Sequence, residues 1–279
     1  MSQLLRRRGV SLDRLDAFLR VFQAGGSIAR AAPGEPVRQS QLSRQIAELE
    51  AALGATLFDR AGRSRVPTAT AVALARVVHD IGRGLDDVVA TAVAAPLSCT
   101  LGGGDSVLHW LVLPHAHEIE DVELELRALA SVDVAKQLSD GRLDLGLLHA
   151  ADVPPTLKAV RLGRIEYGIA ARGQGVAALA APVGEPALQA MVAKLGAVAL
   201  RCETFPQVAR AVRGGRFAGV LPRIASAELG ASVHWTPLPE LGSVVLALAW
   251  RARLDDVRPR LRAVRRTLAR ILRAALRAS

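Results

Sequence analysis

Apolar residues recur at helical spacing from near the start of the chain. Leu12, Leu15, Phe18, Leu19 and Phe22 share one stripe, and Gly25-Gly26 follows as a helix stop. The pattern predicts a first amphipathic helix. Ser27 is placed to cap a short second helix that turns Ile28, Ala31 and Ala32 inward, and Pro33-Gly34-Glu35-Pro36 then forces a turn. A third helix carries Leu42, Ile46, Leu49 and Leu53 on one stripe and ends at Gly54. The face opposite that stripe presents Ser40 and Arg44, flanked by Ser43 and Ala47. Two short helices, a tight turn and a third helix with small polar groups and Arg on its outer face fit a helix-turn-helix, whose recognition helix enters the DNA major groove. A three-helix bundle with a solvated polar face has the same periodicity, and the pattern alone leaves both readings open.

The helical pattern resumes from about residue 68 to 94. Leu74, Val78, Ile81, Leu85, Val88 and Ala92 alternate by four and three, a coiled-coil-like seam. Gly82 and Gly84 lie inside it, each costing a helix about 1 kcal/mol relative to Ala. After Pro96 the period changes. Residues 97–101 read as a strand, followed by Gly102-Gly103-Gly104-Asp105 and a helix through Trp110. Residues 122–129 and 143–150 read as further strands with a helix between, and IEYGIAAR, AVALRC, FAGVLP and SVVLALAWR continue the series. Alternating elements of this kind predict an α/β sheet with a ligand crevice at the carboxyl ends of its strands.

At 279 residues, 51% of them hydrophobic and 22% charged, the chain has material for two or three folded domains. The longest charge-free stretch, residues 88–104, is interrupted by Pro96 and three glycines and falls short of the ~20 apolar residues of a spanning helix. Asp13 and Asp16 stand where a signal peptide needs its apolar region, so a cytoplasmic protein with no membrane partner is expected. Cys99 and Cys202 form neither a disulfide framework nor a CxxC site. His115 and His117 are two apart with no third ligand in view, and the glycine run lacks the context of a nucleotide loop. With no nucleophile motif either, no metal, cofactor or enzymatic activity is expected.

The net charge of +10 rests almost wholly on Arg and is unevenly spread. Residues 1–67 carry +5, residues 68–250 carry −3, and residues 251–279 carry +8. The last segment puts Leu261, Val264, Leu268, Ile271 and Ala275 on one face, with Arg266, Arg270, Arg273 and Arg277 on another. That is the pattern of a packed terminal helix with a solvated basic stripe.

GGSIARAAPGEPVRQSQLSRQIAELEAALGATLFDRAGRSRVPTATA resembles the DNA-binding domain of the LysR-type transcriptional regulators. Their pattern runs GS, a short AA-containing helix, then xxQxxLSRQIxxLExxLGxxLFxR, and the match is ungapped from Gly26 to Arg60. SDGRLDLGLL and VRGGRFAGVLP are similar to two landmarks of the family's effector domain. The resemblance implies a winged helix-turn-helix over residues 1–67 and a dimerising linker helix over 68–95. Residues 96–279 would then form a periplasmic-binding-protein-like effector domain of two α/β lobes, lobe I about 96–155 and 240–279 and lobe II about 156–239.

Carried over by position, the resemblance implies that Gln39, Ser40, Ser43 and Arg44 begin the DNA-facing helix, with Arg60, Arg63 and Arg65 in the wing and Thr68 supplying a hydroxyl near the DNA backbone. Arg38, also on the DNA face, stands where the family has a capping Ser or Thr. Glu35 replaces an apolar residue, and the family's LTPAG reads Pro67-Thr68-Ala69-Thr70-Ala71. The implied effector cleft is lined by Gly104, Asp105 and Ser106, by Ser131, and by Glu203 and Thr204. Asp105 and Glu203 disfavour an anionic effector and fit solvated helix starts as readily. Cys202 would lie beside the cleft, a single thiol with no partner nearby in sequence. The implied function is sequence-specific regulation through promoter DNA by a homodimer or homotetramer under a small-molecule effector. A second reading, raised by Arg38 and the PGEP turn, is a small-molecule-binding protein of the same architecture with degenerate DNA recognition.

Overall fold

The computed structural model describes residues 9–61, 64–173, 179–182 and 198–278. The chain divides between Asp86 and Asp87 into two compact units.

The first unit opens with α1 (Leu12–Gln23), α2 (Ile28–Ala31) and α3 (Pro36–Leu53). Ser11 and Ser27 cap the first two helices by accepting from the amides of Arg14 and Arg30. Phe18, Val21, Ile46, Leu49 and Leu57 are almost wholly buried, and Phe18 packs on the rings of Phe22 and Phe58 at 5.8 and 5.9 Å. Leu12, expected on the inner stripe, is exposed: it is the first residue of α1, and Ala17 and Val21 fill the stripe instead. A two-stranded wing follows, β1 (Phe58–Ala61) antiparallel to β2 (Ser64–Pro67). Gly26 adopts a left-handed φ of 86°, and a Cβ there would sit 2.5 Å from the Arg65 carbonyl oxygen. Only glycine lets the start of the turn lie against the wing.

The long helix α4 (Ala69–Ala92) starts at Thr68, whose hydroxyl accepts from the Ala71 amide. Ala71, Ala75 and Val78 bury into the first unit's core. Farther along, Ile81, Leu85 and Val88 of the predicted seam are 41%, 52% and 67% exposed. The helix contains Gly82 and Gly84 without a break.

The second unit is a mixed sheet whose strands are β3 (Leu97–Gly103), β4 (Val122–Ala128), β5 (Leu145–His149), β6 (Leu157–Ala171), β7 (Leu179–Pro182), β8 (Val198–Cys202), β9 (Ala218–Pro222), β10 (His234–Pro237) and β11 (Ser243–Arg251). Their order is β4-β3-β5-β11-β6-β9-β7-β8, with β10 also on β6. Strand β6 serves both lobes: residues 157–166 pair with β11, whereas residues 167–171 pair with β9 and β10. It begins well before the predicted IEYGIAAR segment because exposed Lys158, Arg161 and Arg164 interrupt the apolar run on that half. Short β7 and β10 were not expected; neither has enough alternating residues to register as a strand.

Helices α5 (Ser131–Ser139), α6 (Phe205–Arg213) and α7 (Pro259–Ala278) cover the sheet. Val134 and Leu138 of α5 lie against Gly146, and Val208 and Val212 of α6 against Gly219, so a Cβ at either glycine would collide with the helix. Gly102 is packed just as closely by Leu143, which gives the glycine run a packing reason. The helix expected to end at Trp110 instead continues from Asp105–Val107 into a wide π turn at Leu108–Val112 and a 3₁₀ segment to Glu118. Among the described residues no helix is long and apolar enough to cross a membrane, and no cluster of His, Cys, Asp or Glu has the arrangement of a metal site.

One buried cation was not anticipated. Arg258, 1% exposed, donates from Nε and Nη2 to the Asp87 carboxylate at 2.8 and 2.6 Å and from Nη2 to the Ser98 carbonyl at 2.6 Å. Its Nη1 lies 2.8 Å from Asp144, whose other oxygen accepts from the Thr100 amide. Burial opposes the charge, but the bonds to Asp87 and Asp144 outweigh it and hold the guanidinium protonated. The end of α4, β3, the start of β5 and the start of α7 thus meet at one side chain.

Candidate functional site

Helix α3 begins at Pro36, whose fixed φ and missing amide hydrogen suit a first helical turn. This corrects the expectation for Arg38. It lies inside the first turn, 3.6 Å from the Glu35 carboxylate, and the capping position belongs to Glu35, which makes no side-chain cap bond. Ser40, Gln41, Ser43 and Arg44 are exposed along the next turns. The Gln39 amide donates 2.8 Å back to the Ala32 carbonyl, tying α3 to α2 across the turn. Gln39→Ala should therefore cost the first unit about 1 kcal/mol in a denaturant titration, whether or not DNA is present.

Arg44 is held by its neighbours on the helix. Its Nε donates to Glu48 at 2.9 Å, while Arg14 of α1 donates to the other oxygen of the same carboxylate at 2.9 Å. These two bonds, Arg14 first, keep the Glu48 carboxyl below its ordinary pKa. Ser11, Arg14, Ser40, Gln41, Arg44 and Glu48 border a concavity of about 480 Å³. Its sides are side-chain hydroxyls, amides and guanidiniums together with the carboxylates of Asp13 and Glu48, donors and acceptors of the kinds that read base edges.

In the wing, Arg60 and Arg65 stand directly opposite each other on the two strands. Like charges in that register repel, a cost that a polyanion between or beside them removes. Arg63 lies outside the described residues. The Thr68 hydroxyl donates to the Thr56 carbonyl at 2.9 Å and accepts from Ala71, so it anchors the wing to α4. Glu50 was missed; its carboxylate accepts from the amides of Leu57 and Phe58 and fixes the chain after α3.

In the second unit, Gly104, Asp105 and Ser106 follow β3, and Ser131 follows β4, at the same edge of parallel neighbours. The Ser131 hydroxyl accepts from the His149 amide at 3.2 Å, joining that edge to the end of β5. Thr204 caps α6 by accepting from Gln207, and the Glu203 amide donates to the Gln207 side chain. The turn at Asp105–Val107 packs against α6, the helix that follows Glu203 and Thr204. Cys202 is buried, and burial pushes its thiol up, the opposite of an activated thiolate.

Sequence reasoning also missed a contact between the lobes. Glu228, just beyond β9, accepts from Trp110 Nε1 and lies 2.9 Å from His109 Nε2, both in the π turn of lobe I. Burial pushes its carboxyl up, but the Trp110 and His109 bonds outweigh this and leave it below its ordinary value. Arg213 is a third partner at 3.7 Å, but Trp110 and His109 lie more than a hundred residues away in sequence, so no local pattern marks the contact between the lobes.

Residues 12–72 match the family model described as bacterial regulatory helix-turn-helix protein, lysR family. Residues 12–72 are thus similar to the helix-turn-helix domain of the lysR family. A probable nitrogen assimilation transcriptional activator of Synechocystis is 30% identical over 150 residues, 49% of this chain and 46% of that protein. The chain spans about half the length of the curated relatives it matches. Its fold is similar over a longer range to that of a full-length OxyR variant from Pseudomonas aeruginosa, with a TM-score of 0.63, 18% identity and 95% of each chain covered. LysG of Corynebacterium glutamicum, a full-length regulator solved with its effector Arg bound, has a TM-score of 0.58 at 18% identity, covering 94% of this chain and 99% of its own. The chain thus shares with these solved structures a fold of a winged helix-turn-helix and a two-lobed α/β domain.

Proposed function

We propose that this chain is a cytoplasmic, sequence-specific transcriptional regulator of the LysR type that binds promoter DNA as a homo-oligomer and responds to a small molecule between its two lobes. The observation that carries the reading is the outward row Ser40, Ser43 and Arg44 on α3 beside the facing pair Arg60 and Arg65 in the wing. Small side chains let a helix approach base edges, and a strand pair that sets two cations opposite each other suits a phosphate backbone. The exposed seam of α4 supports pairing with a second copy. The packing of the Asp105–Val107 turn on α6, with Ser131 at the same sheet edge as that turn, supports an effector cleft. Effector binding would shift the population between arrangements of the lobes and so between arrangements on DNA.

Band-shift titration against the DNA upstream of its own gene tests this reading. Selective, salt-sensitive binding is expected. Arg44→Ala should narrow the gap between specific and random DNA by roughly tenfold or more, since a good bidentate base contact discriminates by about 1–3 kcal/mol. Arg65→Ala should weaken both DNAs alike and reduce the salt slope by about 1. Equal effects of the two variants on specific and random DNA would contradict the assignment.

A further inference from the structure

Strand β6 passes from one sheet to the other between Glu166 and Tyr167, and beside that junction lies a cavity of about 330 Å³. Its walls come from both lobes. Strand β6 supplies Leu162, Arg164 and Glu166, the turn after β9 supplies Arg223, and the end of α7 supplies Leu276 and Arg277. Leu162 is the extra residue of a β-bulge, since Leu246 pairs with Gly163 and the next residue, Ala247, with Arg161. Bulges re-aim the side chains around them and concentrate next to functional sites. Leu276 reaches close over Gly163, where a Cβ would sit 3.1 Å from it, so the floor is apolar and tightly packed.

The polar walls are unbalanced. Three guanidiniums face one carboxylate among the described lining residues. Arg223 Nη1 is 3.4 Å from Glu166, longer than a strong charge-assisted bond, and its guanidinium lies 5.8 Å from the centre of the Trp235 ring, which holds it over the cavity. Arg164 and Arg277 are exposed at the rim. Holding three cations round one small concavity is unfavourable in water unless an anion shares it. Among the described lining residues the guanidiniums exceed the carboxylates by two, a balance that suits a doubly charged ligand.

We propose that this hinge cavity is a binding site for a small dianion, a phosphate or a dicarboxylate, separate from the cleft at the strand ends. A ligand there touches both lobes at the point where their shared strand changes sheet, so its binding would also bias the angle between them. The inference rests on the second unit alone and stands or falls independently of DNA binding.

Isothermal titration of the full chain with inorganic phosphate and with succinate, in chloride buffer at matched ionic strength, tests it. Saturable binding of one dianion per chain is expected. Tighter binding of phosphate or of succinate assigns the head group, and either result supports the site. Arg164→Ala combined with Arg277→Ala should weaken binding at least tenfold. Glu166→Gln, which removes the competing carboxylate, should tighten it several-fold, an outcome that a merely damaged fold does not produce. The proposal is overturned if neither probe saturates the wild-type chain, if the double Arg variant binds as the wild type does, or if Glu166→Gln weakens binding.

Discussion

Replacing Arg258 with Ala is expected to cost the second unit about 3–5 kcal/mol, the scale found when one partner is removed from a buried ion pair. The cost comes less from lost attraction than from what remains. Asp87 and Asp144 would stay buried as carboxylates without a counter-charge, and the Ser98 carbonyl would lose its donor. Urea unfolding followed by tryptophan fluorescence reads this directly, since Trp110, Trp235 and Trp250 all belong to the second unit. Adding Asp87→Asn to Arg258→Ala should return part of the loss, because one unpaired charge is then gone. A loss below 1 kcal/mol for Arg258→Ala would mean that water or a rearranged side chain replaces the guanidinium without penalty.

Leu85→Asp is expected to separate the chains and, with them, high-affinity DNA binding. Leu85 lies at the middle of the exposed row Ile81, Leu85 and Val88 on α4. A carboxylate in an apolar seam is costly when a partner helix covers it and nearly harmless when water does. Light scattering should therefore report a monomer for the variant, against the dimer or tetramer that the proposed function expects of the wild type. Affinity for a two-half-site operator should fall by roughly 10²–10⁴-fold, the range in which linking two weak contacts raises avidity. Affinity for an isolated half-site should hardly move. An unchanged mass would place the oligomer interface elsewhere.

Much of the first unit was legible from spacing. Leu42, Ile46 and Leu49 fell where the stripe put them, Ser27 capped α2, and Gly54 ended α3. Gln39 and Thr68 were placed on the DNA face because their positions match the family pattern, and the backbone bonds that both side chains make could not be read from that pattern. A motif fixes position on a helix, but which way a flexible polar side chain turns depends on unsatisfied backbone groups nearby. Arg38 was misplaced because Pro36, readable as a helix start, was taken only as part of a turn. In the second unit the buried strands were recognisable from apolar runs, whereas β7, β10 and the first half of β6 were not. The Arg258 cluster and the Glu228 contact escaped for a different reason. Each joins segments distant in sequence, and an Arg in a chain rich in Arg carries no local mark of burial.

The place of β11 also governs how the chain is made. This strand lies between β5 and β6 in the sheet, yet it follows every other strand in sequence. While a ribosome is still synthesising residues beyond 242, β5 and β6 both present open edges, and Asp87 and Asp144 await a guanidinium that has not yet been translated. Lobe II, whose strands β7 to β10 are already complete, can close first. Lobe I completes last, by inserting one strand into a waiting gap, and during that interval its unpaired edges are the part of the nascent chain most open to wrong pairing and most in need of a chaperone.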